Sequence, residues 1–223
     1  MVRSVIFDVD GTLIDSVDVH AQAWQDAFRD FGDAIPFDDI RSQIGKGGDQ
    51  LMPVFLSRQE IEAKGEAIEK HRGKILRERY FPKIKTFPGV RDLFQRLRRD
   101  GLRIALASSA KQDELAFYKK VARIEDLVDV ETSSDDAEKS KPHPDIFEAA
   151  LSRLTGTDPA DVIVVGDTPY DAEAASKAGL QTVGVLCGGF PEAELLSAGC
   201  IAIYQDPSDI LARYDGSPLR ARK

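Results

Sequence analysis

The sequence contains little cysteine and no long hydrophobic run. Only Cys187 and Cys200 occur among its 223 residues, which is too few for a disulfide framework or a cysteine-based metal site. No apolar stretch approaches the roughly 20 residues that cross a bilayer, so we expect no membrane span. The first residues turn acidic where a secretory signal would continue its apolar stretch. These absences predict a soluble, cytoplasmic protein that has no membrane partner.

An excess of positive charge is also lacking. The sequence has 30 Lys and Arg residues against 38 Asp and Glu residues, which gives a formal charge of −8. A field of that sign disfavours binding to nucleic acid. The 42% of hydrophobic residues is enough for one core, or for a core domain with a smaller insert. Composition therefore predicts an acidic globular protein and leaves its activity open.

Short β-branched runs alternate with helical patterns over most of the chain. Residues 104–107 and 162–165 are apolar throughout, which predicts strands that are buried on both faces. The alternation predicts an α/β fold with a doubly wound, mostly parallel, Rossmann-like sheet. The predicted strands are 2–9, 102–108, 127–131, 161–166, 181–186 and 200–204, and the predicted helices between them are 89–100, 111–122, 143–154, 170–178 and 191–198.

One long interruption follows the first strand, because the second begins only at Leu102. Residues 16–32 have apolar side chains at helical spacing. Residues 58–80 repeat isoleucine every seven positions amid many charges, which predicts a helix with a solvated face. The chain from Gly216 onward is expected to fray. We predict an α/β catalytic core and an inserted α-helical cap, which comprise residues 1–15 with 85–223, and residues 16–84.

Acidic, hydroxyl and amino side chains follow the predicted strands at the points where they end. Ligands of a parallel sheet bind outside the carboxyl ends of its strands, so we expect these groups to converge. Clustered carboxylates repel one another unless a cation is present, and oxygen ligands without Cys or His favour Mg²⁺. One carboxylate can attack phosphorus while another handles a proton. The set therefore predicts a phosphoryl-transfer site, made of Asp8, Asp10, Ser108, Ser109, Lys141, Asp167 and Asp171.

The residues of this set lie in four short motifs. The motifs are DVDGTLIDS at 8–16, ASSA at 107–110, KPHPDIF at 141–147 and GDTPYD at 166–171. In order and spacing they resemble the motifs of the haloacid dehalogenase superfamily, and the long insert resembles the helical cap of its phosphoglycolate-phosphatase-like and β-phosphoglucomutase-like branch. The resemblance implies a Mg²⁺-dependent phosphatase that hydrolyses a small phosphate monoester metabolite through an aspartyl phosphate.

The resemblance also implies catalytic and metal-binding roles. Asp8 is expected to be the nucleophile, and Asp10 the acid that protonates the leaving alkoxide and the base that then activates water. The carboxylate of Asp8, the backbone carbonyl of Asp10 and Asp167 are expected to hold Mg²⁺. Asp171 is expected to orient a water molecule that is bound to the metal.

Substrate-binding roles are implied for four further core residues. Ser108 and Lys141 are expected to bind the phosphoryl group, and Lys141 also to counter the charge of Asp8. Thr12 and the Ser109 backbone are expected to contribute less. The second motif leaves two interpretations open. Either Ser108 binds the phosphoryl group, or Ser108 only ends the strand and Ser109 has the functional hydroxyl.

The predicted cap contains candidate residues for recognising the leaving group. The glycine-rich segment 45–50 is either a flexible turn between helices or a loop that faces the substrate with Lys46, Asp49 and Gln50. His20 is expected near the cap's entrance to the site, where it either steadies Asp10 or packs as a satisfied core histidine. Trp24 is expected to serve packing.

Alternative functions share the predicted core. A sugar-phosphate mutase of the β-phosphoglucomutase type would use a cationic cap residue, usually arginine, to hold a second phosphate. After Gly45 the sequence offers Lys46 and no arginine until Arg58, and GDTPYD is the phosphatase-like form of the last motif. A non-catalytic binding module on the same scaffold is a further alternative. The sequence leaves the substrate, and the choice between monomer and homodimer, open.

Overall fold

The computed structural model describes residues 2–221 of the chain. Its strands are β1 (Ser4–Phe7), β2 (Ile14–Asp15), β3 (Lys85–Thr86), β4 (Arg103–Ala107), β5 (Val130–Thr132), β6 (Val162–Gly166), β7 (Gln181–Val185) and β8 (Cys200–Tyr204). Six of them form one sheet in the order β5-β4-β1-β6-β7-β8, and every neighbouring pair in it is parallel. The central strand β1 lies between β4 and β6, so the chain reverses its direction of winding there.

Residues 2–221 contain eleven α-helical segments, ten between strands and the last after β8. They are α1 (Val17–Asp30), α2 (Phe37–Arg41), α3 (Gly48–Phe55), α4 (Arg58–Glu60), α5 (Glu66–Ile75), α6 (Val90–Arg99), α7 (Gln112–Ala122), α8 (Asp145–Arg153), α9 (Pro169–Lys177), α10 (Glu192–Ser197) and α11 (Pro207–Ala212). None of the helices in this part of the chain is both long enough and apolar enough to cross a membrane.

Helices cover both faces of the sheet. Successive side chains of a strand point to opposite faces. Accordingly, Val5 and Phe7 of β1 pack in one hydrophobic cluster with α6, α7 and α11, whereas Ile6 packs in another with α8 and α9. Burial on both sides explains the continuous apolar runs of the strands. The predicted doubly wound, mostly parallel sheet is therefore confirmed.

The helices from α1 to α5 all lie in the segment between β2 and β3. They enclose a hydrophobic cluster of their own, and α4 and α5 are joined through a wider π-helical turn at Ile61–Gly65. The two chain connections to this segment meet in an antiparallel pair, in which Ile14 lies opposite Thr86 and Asp15 opposite Lys85. Strands of two residues are too short for periodicity to reveal, so the sequence did not predict this pair.

Several predicted boundaries are wrong for local reasons. The third strand begins at Val130, because the N–H of Leu127 donates to Ile124 O and closes a turn ahead of it. Helix α3 begins at Gly48, inside the segment predicted as a loop. The chain after Gly216 is also ordered up to residue 221, since Leu219 is fully buried in the main hydrophobic cluster. Residues 222–223 of the predicted frayed tail lie outside the described residues.

Candidate active site

Three carboxylates meet where β1 and β6 end. The parallel register pairs Phe7 with Val165, and the N–H of Asp8 donates to Val165 O at 2.9 Å. This register places Asp8 beside Asp167, and Asp171 follows in the first turn of α9. Oxygen atoms of these three carboxylates lie within 4.8 Å of one another. The structure thus brings together acids that are far apart in the sequence.

Lys141 supplies positive charge to this cluster. Its side chain is fully buried, with Nζ 2.5 Å from Asp8 Oδ1 and 2.7 Å from Asp171 Oδ1. Burial opposes the charge of the ammonium group, but Asp171 and Asp8 outweigh it and raise the pKa of Lys141 above its usual value. The other Asp171 oxygen, Oδ2, accepts hydrogen bonds from the backbone and hydroxyl of Thr168. Asp171 therefore fixes the lysine from one side and Asp8 from the other.

Thr12 lies beneath the carboxylates rather than on a substrate-facing wall. Its buried hydroxyl is 2.8 Å from Asp167 Oδ1 and 3.2 Å from Asp8 Oδ2. The second oxygen of Asp167, Oδ2, is buried and has no hydrogen-bond partner among residues 2–221. Burial raises the pKa of Asp167 well above its usual value, and the charges of Asp8 and Asp171 raise it further. Burial, against the influence of Lys141, also raises the pKa of Asp8 to about 7.

Two glycines keep the surroundings of Asp167 open. A Cβ atom at Gly188 would lie 1.7 Å from Asp167 Oδ2, and one at Gly11 would lie 2.2 Å from it. Gly11 also adopts a φ of 82°, which side chains other than glycine rarely accept. An unpartnered buried oxygen, an all-oxygen donor set and a cradle that a Cβ would fill are features that suit a hard cation. The residues present fit Mg²⁺.

Asp10 points away from this cluster and into a separate hydrogen-bond network. Its Oδ1 accepts from the Ser16 hydroxyl at 2.6 Å and contacts His20 Nε2 at 2.8 Å. Burial alone would raise the pKa of the carboxyl, but the contacts with His20 and Ser16 lower the pKa of Asp10 below its usual value. Both contacts use Oδ1, which leaves Oδ2 for the cavity that Asp10 helps to line.

The arginine Arg72 fixes the tautomer of His20. Its Nη2 lies 2.6 Å from His20 Nδ1, and a guanidinium can only donate, so Nδ1 must accept. His20 therefore carries its proton on Nε2, which faces Asp10 Oδ1 and the hydroxyl of Tyr118 at 2.9 Å. Arg72 also pairs with the buried carboxylate of Glu114 at 3.1 Å. The network joins helices α1 and α5 to the core helix α7.

Arg72, Glu114 and Tyr118 are outside the residues that the sequence singled out. The expectation of a solvated face over 58–80 is wrong for Arg72, whose side chain is only 14% exposed. A signal was present, because Arg72 lies four residues after Ile68 and three before Ile75, on the buried face of α5. A charged residue at a position of an apolar stripe was thus the signal that could have predicted a buried arginine.

A cavity of about 300 Å³ opens above Asp8 and Asp10. Its walls come from α1, α3 and α5 and from the loops that follow β4 and β5. Trp24 contributes to this wall as well as to the hydrophobic cluster of α1. The predicted nucleophile, the predicted acid–base and the helical segment therefore face one cavity.

The two serines of the second motif separate in the structure. Ser108 is fully buried, and its Oγ accepts from the N–H of Ala110 at 3.0 Å. Ser109 lines the cavity, and its Oγ donates to Gly45 O at 3.4 Å. Of the two, Ser109 has the hydroxyl that borders the cavity.

The residues of segment 45–50 contact the core. Lys46 lines the cavity, but its Nζ lies 4.5 Å from the centre of the Tyr170 ring and donates to Gln43 Oε1 at 2.5 Å. Asp49 also lines the cavity, and its Oδ2 accepts from the N–H of Ser140 at 3.1 Å. Gln50 donates to the same oxygen at 2.9 Å. The segment thus closes one side of the cavity through contacts of its own.

This arrangement has counterparts in known proteins. The haloacid dehalogenase-like hydrolase family matches residues 5–185. The chain belongs to this family. The predicted family membership is therefore confirmed, and with it the prediction of a hydrolase.

Individual members of the haloacid dehalogenase-like family are similar over almost the whole chain. A phosphorylated carbohydrates phosphatase of Thermotoga maritima is 28% identical over 210 residues, which are 94% of this chain and 96% of that protein. A phosphoglycolate phosphatase of Escherichia coli is 30% identical over 232 residues, covering 94% and 91%. The crystal structure of a hydrolase from Pseudomonas syringae superposes with a TM-score of 0.88 at 30% identity and covers 96% and 98%.

Proposed function

We propose that this protein is a Mg²⁺-dependent phosphatase that hydrolyses a small phosphate monoester through an aspartyl phosphate on Asp8. The observation that carries the proposal is the position of Asp8, which contacts Lys141, lies beside Asp167 and faces the same cavity as Asp10. The phosphatases among its relatives support a phosphoric monoester hydrolase. The small volume of the cavity, about 300 Å³, supports a small metabolite as the substrate rather than a phosphoprotein.

The first step transfers the phosphoryl group to the enzyme. A carboxylate oxygen of Asp8 attacks phosphorus, the bond from phosphorus to the ester oxygen breaks, and the leaving alkoxide takes a proton from Asp10. The negative charge of the bound phosphate favours protonation of Asp10, whose own contacts hold its pKa low in the free enzyme. Lys141 stays charged and offsets negative charge that would otherwise keep the phosphate away.

The second step releases phosphate. Asp10 takes a proton from water, the resulting hydroxide attacks phosphorus, and the bond to Asp8 breaks to restore the carboxylate. A hydrogen bond from His20 Nε2 holds Asp10 Oδ1, so the proton moves at Oδ2. We propose that His20 and Arg72 act as positioning residues for Asp10 in both steps.

Carboxylates of Asp8 and Asp167 and the backbone carbonyl of Asp10 would hold the metal ion. Its chemistry there would be to offset charge on the phosphoryl oxygens. Asp171 contacts Lys141 and would position this lysine. It would also orient a water molecule that is bound to the metal. We further propose that residues 16–84 form a cap on the core, with the β2–β3 pair at its base.

Removal of divalent ions will abolish turnover of an aryl phosphate. The carboxylates then repel the phosphate and one another, so Mg²⁺ is expected to restore the rate. Ca²⁺ is expected to inhibit, because its looser coordination misplaces Asp8. The measurement is phosphate release in chelator, followed by titration with each ion. Full activity in excess chelator would contradict the metal site and the roles given to Asp167 and Asp171.

Replacing Gly188 by alanine will weaken Mg²⁺ binding by about tenfold or more, the size of effect seen when groups around metal ligands are altered. The added Cβ would lie 1.7 Å from Asp167 Oδ2 and must displace it. Isothermal titration with Mg²⁺ measures the loss without relying on activity. Gly216→Ala is the matched control, since a Cβ there meets nothing within 4 Å. Equal Mg²⁺ affinities for the two variants would show that Asp167 is not a ligand.

A further inference from the structure

A second cavity lies next to the proposed active site, where helix α5 faces the start of helix α7. Its volume is about 250 Å³. Some of its lining residues also line the cavity above Asp8 and Asp10, so their side chains stand between the two cavities. We call them the shared wall, which consists of Glu69, Arg72, Lys111 and Glu114.

The leaving group of a bound ester would lie near the shared wall. Asp10 is the proposed donor of a proton to the ester oxygen, and it contacts His20 Nε2 at 2.8 Å. The other ring nitrogen of His20 lies 2.6 Å from Arg72, which belongs to the shared wall. The side of the cavity that holds Asp10 is thus also the side of the shared wall. A leaving group too long for the first cavity would meet this wall.

The two ion pairs of the shared wall differ in how easily they separate. Arg72 and Glu114 are 3.1 Å apart and their side chains are 14% and 1% exposed, so separating them would leave buried charge without a partner. Lys111 and Glu69 are 3.5 Å apart and their side chains are 51% and 37% exposed. A solvated pair of this kind contributes little stability. Lys111 and Glu69 are therefore the part of the wall that a ligand can displace.

The second cavity is lined by a glycine that the backbone does not require. Gly73 lies inside helix α5, where glycine is less stable than alanine. Its φ is outside the left-handed region, and a Cβ atom there would make only ordinary contact, 3.5 Å from Arg77 Nη1. A larger side chain at position 73 would extend into the second cavity. The glycine therefore keeps space free beside the shared wall.

The second cavity is polar and has no excess of either charge. Its ionisable lining residues are the acids Glu66, Glu69, Asp113 and Glu114 and the bases Lys70, Arg72, Arg77 and Lys111. The side chains of Glu66 and Lys70 have no hydrogen-bond or ion-pair partner among the described residues, so an acceptor and a donor are free. Balanced charges give no net attraction to an ion. The lining therefore suits a polar group without net charge.

We infer that the second cavity is a subsite for the far end of an elongated leaving group that is polar and without net charge, and that the Lys111–Glu69 pair is the gate to it. The inference rests on the proposed phosphatase function and concerns the length of the substrate. A short leaving group fits the first cavity with the gate closed. A longer one separates Lys111 from Glu69 and occupies the space beside Gly73.

Esters that differ only in length test the subsite. Monophosphates of methyl-capped ethylene glycol, of its dimer and of its tetramer have the same atoms next to the ester oxygen, so the demand on Asp10 is nearly constant. With Mg²⁺ present, kcat/KM is measured for each. We expect the wild type to hydrolyse the tetramer ester at least as well as the monomer ester. A tetramer ester that is poorer by about tenfold or more would overturn the inference.

Gly73→Leu tests the second cavity directly. We expect the ratio of kcat/KM for the tetramer ester over the monomer ester to fall by about tenfold or more, because leucine fills the space for the far end. Ala67→Leu is the matched control, since it adds the same side chain at an exposed position of α5 outside both cavities. Its ratio should equal that of the wild type.

Gly73→Ala keeps the test valid if leucine disturbs the fold. The smaller side chain is compatible with the helix and should lower the ratio by about threefold, and circular dichroism checks the fold of each variant. A ratio that is unchanged in the folded Gly73 variants, or that falls equally in Ala67→Leu, would overturn the subsite.

Lys111→Met tests the gate. Methionine is of similar length but cannot pair with Glu69, so the long leaving group no longer has an ion pair to separate. We expect the same kcat/KM ratio to rise by up to about fivefold, the largest effect typical of an exposed ion pair. Lys74→Met is the matched control, because Lys74 pairs with Glu78 at 4.0 Å outside both cavities. Equal ratios in the two variants would overturn the role of the gate.

The outcomes separate the inference from the proposed function. Hydrolysis of p-nitrophenyl phosphate together with a ratio that ignores Gly73 would overturn the inference and leave the phosphatase intact. An enzyme inert toward the aryl phosphate and toward all of the glycol esters would overturn both.

Discussion

Asp8→Asn will lower kcat about 1000-fold or more, which corresponds to about 4 kcal/mol of activation free energy. An amide has nearly the shape of the carboxylate but cannot attack phosphorus, so no covalent intermediate forms. The fold should persist, because Lys141 keeps Asp171 as a charged partner. The measurement is the rate of phosphate release at saturating Mg²⁺, together with the melting temperature.

Trapping of the intermediate sharpens this test. Wild-type enzyme that is mixed with labelled aryl phosphate and quenched in acid should retain label that hydroxylamine removes, whereas the Asp8→Asn variant should retain none. Asp38→Asn makes the same chemical change at an exposed position outside the cavity and should behave like the wild type. An Asp8→Asn enzyme with more than about one tenth of wild-type activity would refute the nucleophile assignment.

Asp10→Asn will slow the hydrolysis of alkyl phosphates by about 100-fold or more, within the usual range for a lost general acid. Aryl phosphates should lose less, because an aryl oxide departs with little help from a proton. Asn can still accept from Ser16 and His20 through its carbonyl oxygen, so the network should survive. The measurement is kcat/KM on a series of esters with leaving groups of increasing pKa.

The dependence of kcat/KM on leaving-group pKa tests whether Asp10 is the general acid. If Asp10 is the general acid, the plot of log kcat/KM against leaving-group pKa should be steeper for the variant than for the wild type. An equal loss on every ester would show that Asp10 supports the fold of the site rather than proton transfer. Loss of Mg²⁺ affinity in the variant would instead point to a change at the backbone carbonyl.

The parts of the site that rest on strand order could be predicted from the sequence. Asp8 and Asp167 each follow an apolar strand, and adjacent parallel strands bring their carboxyl ends to one edge. Lys141 was predicted from its place after the third strand of the sheet, and the resemblance of its motif to a known family implied its role. Local pattern and register together were therefore enough for the charged centre of the site.

The parts that rest on contacts between the helical segment and the core could not be predicted. Nothing in the sequence pairs Arg72 with Glu114, since the two lie on different helices and meet only through packing. The effect of Gly188 depends on how closely Asp167 approaches it, since a Cβ atom added at position 188 would lie 1.7 Å from Asp167 Oδ2. The sequence left open whether segment 45–50 is a turn or faces the substrate with Lys46, and the position of Lys46 over Tyr170 depends on how α9 meets the segment. Such contacts are properties of the assembled fold.

The Arg72–Glu114 pair limits how freely the helical segment could be exchanged between related enzymes. A chimera that joined this core to a foreign segment would leave Glu114 of α7 without its arginine, and an uncompensated buried charge costs about 3–5 kcal/mol. Tyr118, one turn further along α7, would also lose His20. Helix α7 would therefore have to be transferred together with the helical segment, although β3, α6 and β4 lie between them in the sequence. Grafts intended to alter substrate range should carry α7 along or replace Glu114 by a neutral residue.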